Sequence, residues 1–92
     1  MDLAERMTLL AYTFPSMRGA PGTHPWEPAE LNRWAAGSAS RGEQQTARFL
    51  LAVWDDGTDW EAGRFDVMEA LRVWDLKHRT AFLAWASDPW WS

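Results

Sequence analysis

The chain has 92 residues, no cysteine and eight tryptophans, and nine basic against thirteen acidic side chains leave a net charge of −4. That length supplies one domain over residues 1–92 with a folded surface of roughly 5,500 Å², and the missing cysteines exclude disulfide and thiolate chemistry and fit a cytoplasmic setting. The basic excess of a nucleic-acid binder is lacking, no apolar run approaches the ~20 residues of a membrane span, and Asp2 and Glu5 stand where a secretory leader would be basic.

Residues 1–14 place Leu3, Met7 and Leu10 at helical spacing, but the segment ends on Tyr12, Thr13 and Phe14. That mixture fits a short helix, with a strand as the alternative. Residues 15–28 hold four prolines and two glycines. Fixed φ angles and missing donors at that density predict a loop without regular structure, pinned by Trp26.

Pro28 suits the first helical turn and Gly37 the position beyond the last, so a helix is predicted over 29–36 with Leu31 and Trp34 on one face. Ser40 and Glu43 have the spacing of a capping box, which opens a helix over 41–54. Its apolar arc of Ala47, Phe49, Leu50, Leu51, Val53 and Trp54 is wide enough to belong at the centre of a bundle. Asp55-Asp56-Gly57 ends it.

Asp66 and Glu69 repeat the capping pattern before the longest periodic stretch, 66–86. Val67, Leu71, Trp74, His78, Ala81, Phe82 and Trp85 recur at steps of three and four, predicting one amphipathic helix of about five turns. Glu69 with Arg72, and Asp75 with Arg79, stand at ion-pair spacing on its flanks. Pro89 then closes the helix, leaving an aromatic tail at 87–92. The expected fold is all-α: a compact three- to four-helix bundle with a Pro/Gly-rich N-terminal loop.

The runs "ARFLLAVW", "GRFDVMEALRVWD", "HR", "AFLAWA" and "DPWW", spanning Ser40 to Trp91, resemble small uncharacterised open reading frames of proteobacterial plasmids and integrative elements. That resemblance implies a bacterial mobile-element context and no catalytic residues.

Acyl transfer needs a nucleophile beside a base, and the serines lie in loops, at caps and in the tail without a G-x-S-x-G motif. His24 and His78 form no metal-binding pair, although Asp75 and His78 share a helix face. Asp55, Asp56, Asp59 and Glu61 are dense in oxygen but miss the calcium-loop spacing. No enzyme activity, metal or cofactor is therefore expected, and an enzyme stays open only if Asp75 and His78 line a pocket with a third polar group. Arg41, Arg48, Arg64, Arg72, Lys77 and Arg79 could line a nucleic-acid strip, but each has an acidic neighbour.

The tryptophans remain. Trp34, Trp54, Trp74 and Trp85 fall on apolar helix faces and belong to the core, whereas Trp26, Trp60, Trp90 and Trp91 lie in loops or the tail. Adjacent side chains of an extended tail point oppositely, so one of Trp90 and Trp91 caps the helix pair and the other faces out. Exposed tryptophan near arginine is the composition of an interaction hot spot. The expected function is a non-catalytic protein-protein interaction module using Trp26, Trp60, Arg64, Arg79, Trp90 and Trp91, its partner another protein or a second copy, and its task in a mobile element the blocking of a host defence or regulatory complex. The alternative is a small nucleic-acid-associated regulator binding through the arginines of the long helices.

Overall fold

The computed structural model describes residues 1–92 and is all-helical: α1 (Leu3–Tyr12), a 3-10 turn (Pro15–Met17), α2 (Pro28–Gly37), α3 (Arg41–Asp55), α4 (Val67–Val73) and α5 (Leu76–Ser87). Five α-helices replace the three or four expected, for two reasons. The first segment resolves as a helix, capped by the Asp2 carboxylate that accepts the Glu5 amide at 2.8 Å. The predicted helix 66–86 is two helices.

Helix α3 is the centre, packing against α1, α2, α4 and the 3-10 turn. Both halves of its predicted capping box are made: the Glu43 amide donates to Ser40 Oγ at 3.2 Å and the Ser40 amide to Glu43 Oε1 at 2.8 Å. Burial of Ala47, Phe49, Leu50, Leu51 and Val53 leaves few polar positions, so the buried polar side chains beside them must find partners. Thr46 Oγ1 donates to the Gly42 carbonyl at 2.8 Å and accepts the Trp74 indole N–H at 2.9 Å, while Gln45 Oε1 accepts the Asp66 amide at 3.3 Å. Phe49 sits at the hub of the aromatic core, with ring centroids of Trp85 at 4.9 Å, Phe65 and Phe82 at 5.4 Å and Phe14 at 5.6 Å.

Residues 15–28, expected to lack regular structure, contain one 3-10 turn, because Pro15 occupies its first position, where a missing N–H is harmless. This stretch is part of the core. Met17, Thr23 and Trp26 are all buried, and Thr23 Oγ1 donates to the carbonyls of Ala20 and Met17. From the other end, Asn32 Oδ1 on α2 accepts the Ala62 amide at 2.9 Å and Arg48 donates to the Ala62 carbonyl, holding the connection 56–66 against α2 and α3.

Trp74 and Asp75 both have extended backbone, with ψ of 141° and 178°, and they break the periodic stretch. Asp75 is a helix cap: its carboxylate accepts the His78 amide at 2.9 Å and starts α5. The expected pair with Arg79 is therefore not made, whereas Glu69 and Arg72 do approach, at 3.7 Å. The break also shifts helical phase. His78, Ala81, Phe82 and Trp85 of α5 face inward as the stripe required, but in α4 Ala70 takes the inner side, and Val67 and Leu71 are exposed.

The accessible surface of 5291 Å² is close to the size-scaling expectation, so the eight indoles do not by themselves force the chain into a partner.

Candidate functional site

The six residues predicted for contact do not form one patch. Trp26 is not on the surface: it is 7% exposed, its ring lies 5.8 Å from that of Trp54, and its indole N–H is buried without an acceptor. The loop carrying it folds inward because Met17 and Thr23 are drawn into the core beside it. Trp60 is half-buried and donates its N–H to the Asp55 carbonyl at 3.0 Å, fastening the connection to the end of α3. Arg64 is exposed with Asp56 3.9 Å away, and Arg79 is exposed on α5.

The tail folds back. The Ser92 amide donates to the Val53 carbonyl at 3.0 Å, and the Trp90 carbonyl accepts the Trp85 indole N–H at 3.0 Å. Trp90 is half-buried beneath the Arg6 guanidinium, 4.0 Å from its ring centroid, a cation-π contact that ties the tail to α1. Trp91 turns the other way and is 59% exposed, with an edge contact to Trp85 at 5.4 Å.

Sequence reasoning missed the exposed apolar side chains of α4 and α5. Val67, Met68 and Leu71 occupy the outer side of α4, and Leu76 and Leu83 that of α5, all 39–69% exposed. Leu76, Arg79 and Leu83 stand at i, i+3 and i+7, on the side opposite the core residues His78, Ala81, Phe82 and Trp85. The available signal was that α5 is apolar on both sides, a pattern that calls for cover on both. Leu3 and Leu9 of α1 are also exposed, and Leu9 borders a separate depression with Ala4, Glu5, Pro25 and Trp26. Around the α4 and α5 surface stand Arg72, Lys77 and Arg79, all exposed.

The basic strip is only partly assembled. Arg48 points into the protein toward Ala62, Arg41 and Arg72 both pair with Glu69, and Arg64 faces Asp56. Among the acidic residues, the Asp55 carboxylate accepts the Gly57 amide and the Thr58 hydroxyl, so it closes a turn. No group of three side chains is placed to hold a metal ion, and no helix is long and apolar enough to cross a membrane.

A second cluster joins residues far apart in sequence. His78, 9% exposed, has Nδ1 2.7 Å from Asp75 Oδ1 and Nε2 2.7 Å from Ser16 Oγ. The carboxylate fixes the ring proton on Nδ1, which leaves the Nε2 lone pair facing the Ser16 hydroxyl; the Ser16 amide also faces Nε2, at 3.3 Å. Asp75 and His78 were legible as neighbours, but Ser16 lies 62 positions away in the proline-rich segment and no local pattern announces it. The three line a depression of about 190 Å³ together with Ser40, Gly42, Glu43, Val73 and Trp74.

The Asp75 carboxyl is held below its ordinary value, first because it accepts the His78 amide and then because it accepts the ring N–H. A carboxylate whose folded value is depressed stabilises the fold above its unfolded value and stops doing so as the pH falls through the folded one. Asp75→Asn keeps an acceptor for the amide and removes the charge. It is therefore expected to lower the thermal midpoint near neutrality, with a difference from wild type that fades in strong acid. Melting curves across that range check it, and a difference independent of pH would contradict it.

Compared with protein-family models, with curated proteins and with solved structures, the chain matches none of them.

Proposed function

We propose that the chain is a protein-docking module that uses the outer sides of α4 and α5 to bind an apolar segment of another protein that carries acidic side chains. The observation supporting this is the concentration of five large exposed apolar side chains between Val67 and Leu83, in a protein whose core is otherwise closed. Scattered apolar residues are ordinary on a surface, but a helix apolar on both sides gains from a second cover. The charges select the partner. Lys77 and Arg79 flank the α5 residues without a carboxylate partner, whereas Arg72 pairs with Glu69, so these two cations are the charges that an acidic partner would complement.

Docking of this kind blocks a competing interaction by occupancy alone. Interference with a host complex from within the cytoplasm is the form it takes if the resemblance to mobile-element reading frames is followed. Nucleic acid is less well supported, because Arg41, Arg48, Arg64 and Arg72 already have carboxylate or carbonyl partners, which leaves only Lys77 and Arg79 of that strip to contact phosphate.

Met68→Ser combined with Leu83→Ser tests this reading. Both side chains are exposed, so the unfolding free energy is expected to change by less than about 0.5 kcal/mol. Affinity for a protein captured by the tagged wild type from its host is expected to fall by about tenfold per site or more. Equal capture of that protein by wild type and variant would overturn the proposal.

A further inference from the structure

We propose that Ser16, His78 and Asp75 form a nucleophilic centre that hydrolyses small uncharged acyl esters in the depression between the 3-10 turn, α3 and α5. This goes beyond docking and uses a different part of the surface. The hydroxyl, imidazole and carboxylate form a chain with both links at 2.7 Å, in the order that nucleophilic catalysis by serine requires. Asp75 holds the proton on Nδ1 and leaves the Nε2 lone pair facing the Ser16 hydroxyl at 2.7 Å, with the Ser16 amide a longer second donor at 3.3 Å, so Nε2 is placed to receive the hydroxyl proton.

Each group sits on a defined element. Ser16 is in the 3-10 turn, Asp75 caps α5, and His78 lies in its first turn, packed by Trp74 and Phe14 with ring centroids at 6.4 and 6.0 Å. The start of α3 borders the same depression. Its capping box accounts for the Ser40 and Glu43 amides, whereas those of Arg41 and Gly42 have no protein acceptor. Amides at a helix start favour the negative oxygen that develops on an attacked carbonyl.

The walls define the substrate. Val73 and Trp74 supply an apolar side for a short acyl chain, and the carboxylates of Glu43 and Asp75 disfavour an anion. Ser16 Oγ attacks the ester carbonyl carbon as its proton passes to Nε2, giving an imidazolium stabilised by Asp75. The bond to the leaving oxygen breaks, and that oxygen takes the proton from Nε2. Water then attacks the acyl carbon and gives a proton to Nε2, the bond to Oγ breaks, and the proton returns to Oγ. Ester and water become acid and alcohol. Asp75 is a positioning residue throughout.

The same contacts also fasten the 3-10 turn to α5, so the test separates chemistry from folding. The full chain is incubated with diisopropyl fluorophosphate and the adduct is mapped by mass spectrometry. Hydrolysis of p-nitrophenyl acetate is followed in wild type, Ser16→Ala and His78→Gln. Expected are one adduct on Ser16, lost when the protein is unfolded in urea, and ester turnover reduced about 100-fold in either variant. Asp75→Asn slows formation of the adduct without moving its site. Failure of Ser16 to be labelled in the folded wild type overturns the proposal, as does turnover that Ser16→Ala retains in full. The labelling needs no variant, so it decides the matter even where a variant does not fold. Met68→Ser with Leu83→Ser leaves labelling unchanged, so failure of docking and failure of this chemistry are read separately.

Discussion

Trp74→Ala is expected to lower the free energy of unfolding by about 3–5 kcal/mol. The indole is 5% exposed and lies where α4 ends, 5.6, 5.7 and 5.9 Å from the rings of Phe82, Phe14 and Phe65. Truncation removes its buried area and leaves a cavity among aromatic rings that cannot collapse onto it, because each is held by another helix or by Phe49. It also takes the indole donor from Thr46 Oγ1. A domain of this size has about 5–14 kcal/mol in total, so the variant approaches the unfolded state at ambient temperature. Urea unfolding monitored by far-UV circular dichroism measures the change. A loss below about 1 kcal/mol would contradict this packing. Trp91→Ala, by contrast, removes a mostly exposed ring and belongs with surface substitutions, at about 0.5 kcal/mol or less.

Gly22→Ala is expected to cost about 2–4 kcal/mol, through backbone strain and a direct clash. Gly22 has φ of +82°, and a Cβ there would stand 2.5 Å from the Glu27 carbonyl oxygen and 2.6 Å from the Leu31 amide nitrogen. Both neighbours are main chain at the start of α2, so neither can rotate away. Gly22 also accepts the Glu27 amide at 2.8 Å, and a shift that relieved the clash would break that bond. Gly19 is the internal control: its φ is +83°, but nothing lies within 4 Å of the Cβ position, so Gly19→Ala is expected to cost only about 1 kcal/mol. Chemical unfolding of the two variants side by side checks the contrast, and equal losses would contradict the close approach to α2.

Local chemistry made much of this fold legible. The Ser40–Glu43 capping box, Pro28 at the start of α2 and the broad apolar arc of α3 are each specified within a few residues, and each is present. The failures are of another kind. Periodicity alone does not register a helix that stops and restarts, and Asp75 fits both an ion pair with Arg79 and a cap for His78; the cap won because it satisfies a backbone donor. Once α4 and α5 are separate, Val67 and Leu71 no longer continue the inward face of His78, Ala81, Phe82 and Trp85, and the exposure of Val67, Met68, Leu71, Leu76 and Leu83 could not be read from the stripe. Trp26 was misplaced because its burial depends on a loop conformation set by Gly22 and by contacts with α2. The partnership of Ser16 with His78 spans 62 positions and is visible only in three dimensions.

Docking through α4 and α5 is tested most directly by amide hydrogen exchange of the chain alone and in complex with the protein it captures. Added protection is expected across α4 and α5, with α1 and α2 unchanged. Protection gained over α2 with none over α4 and α5 would contradict it.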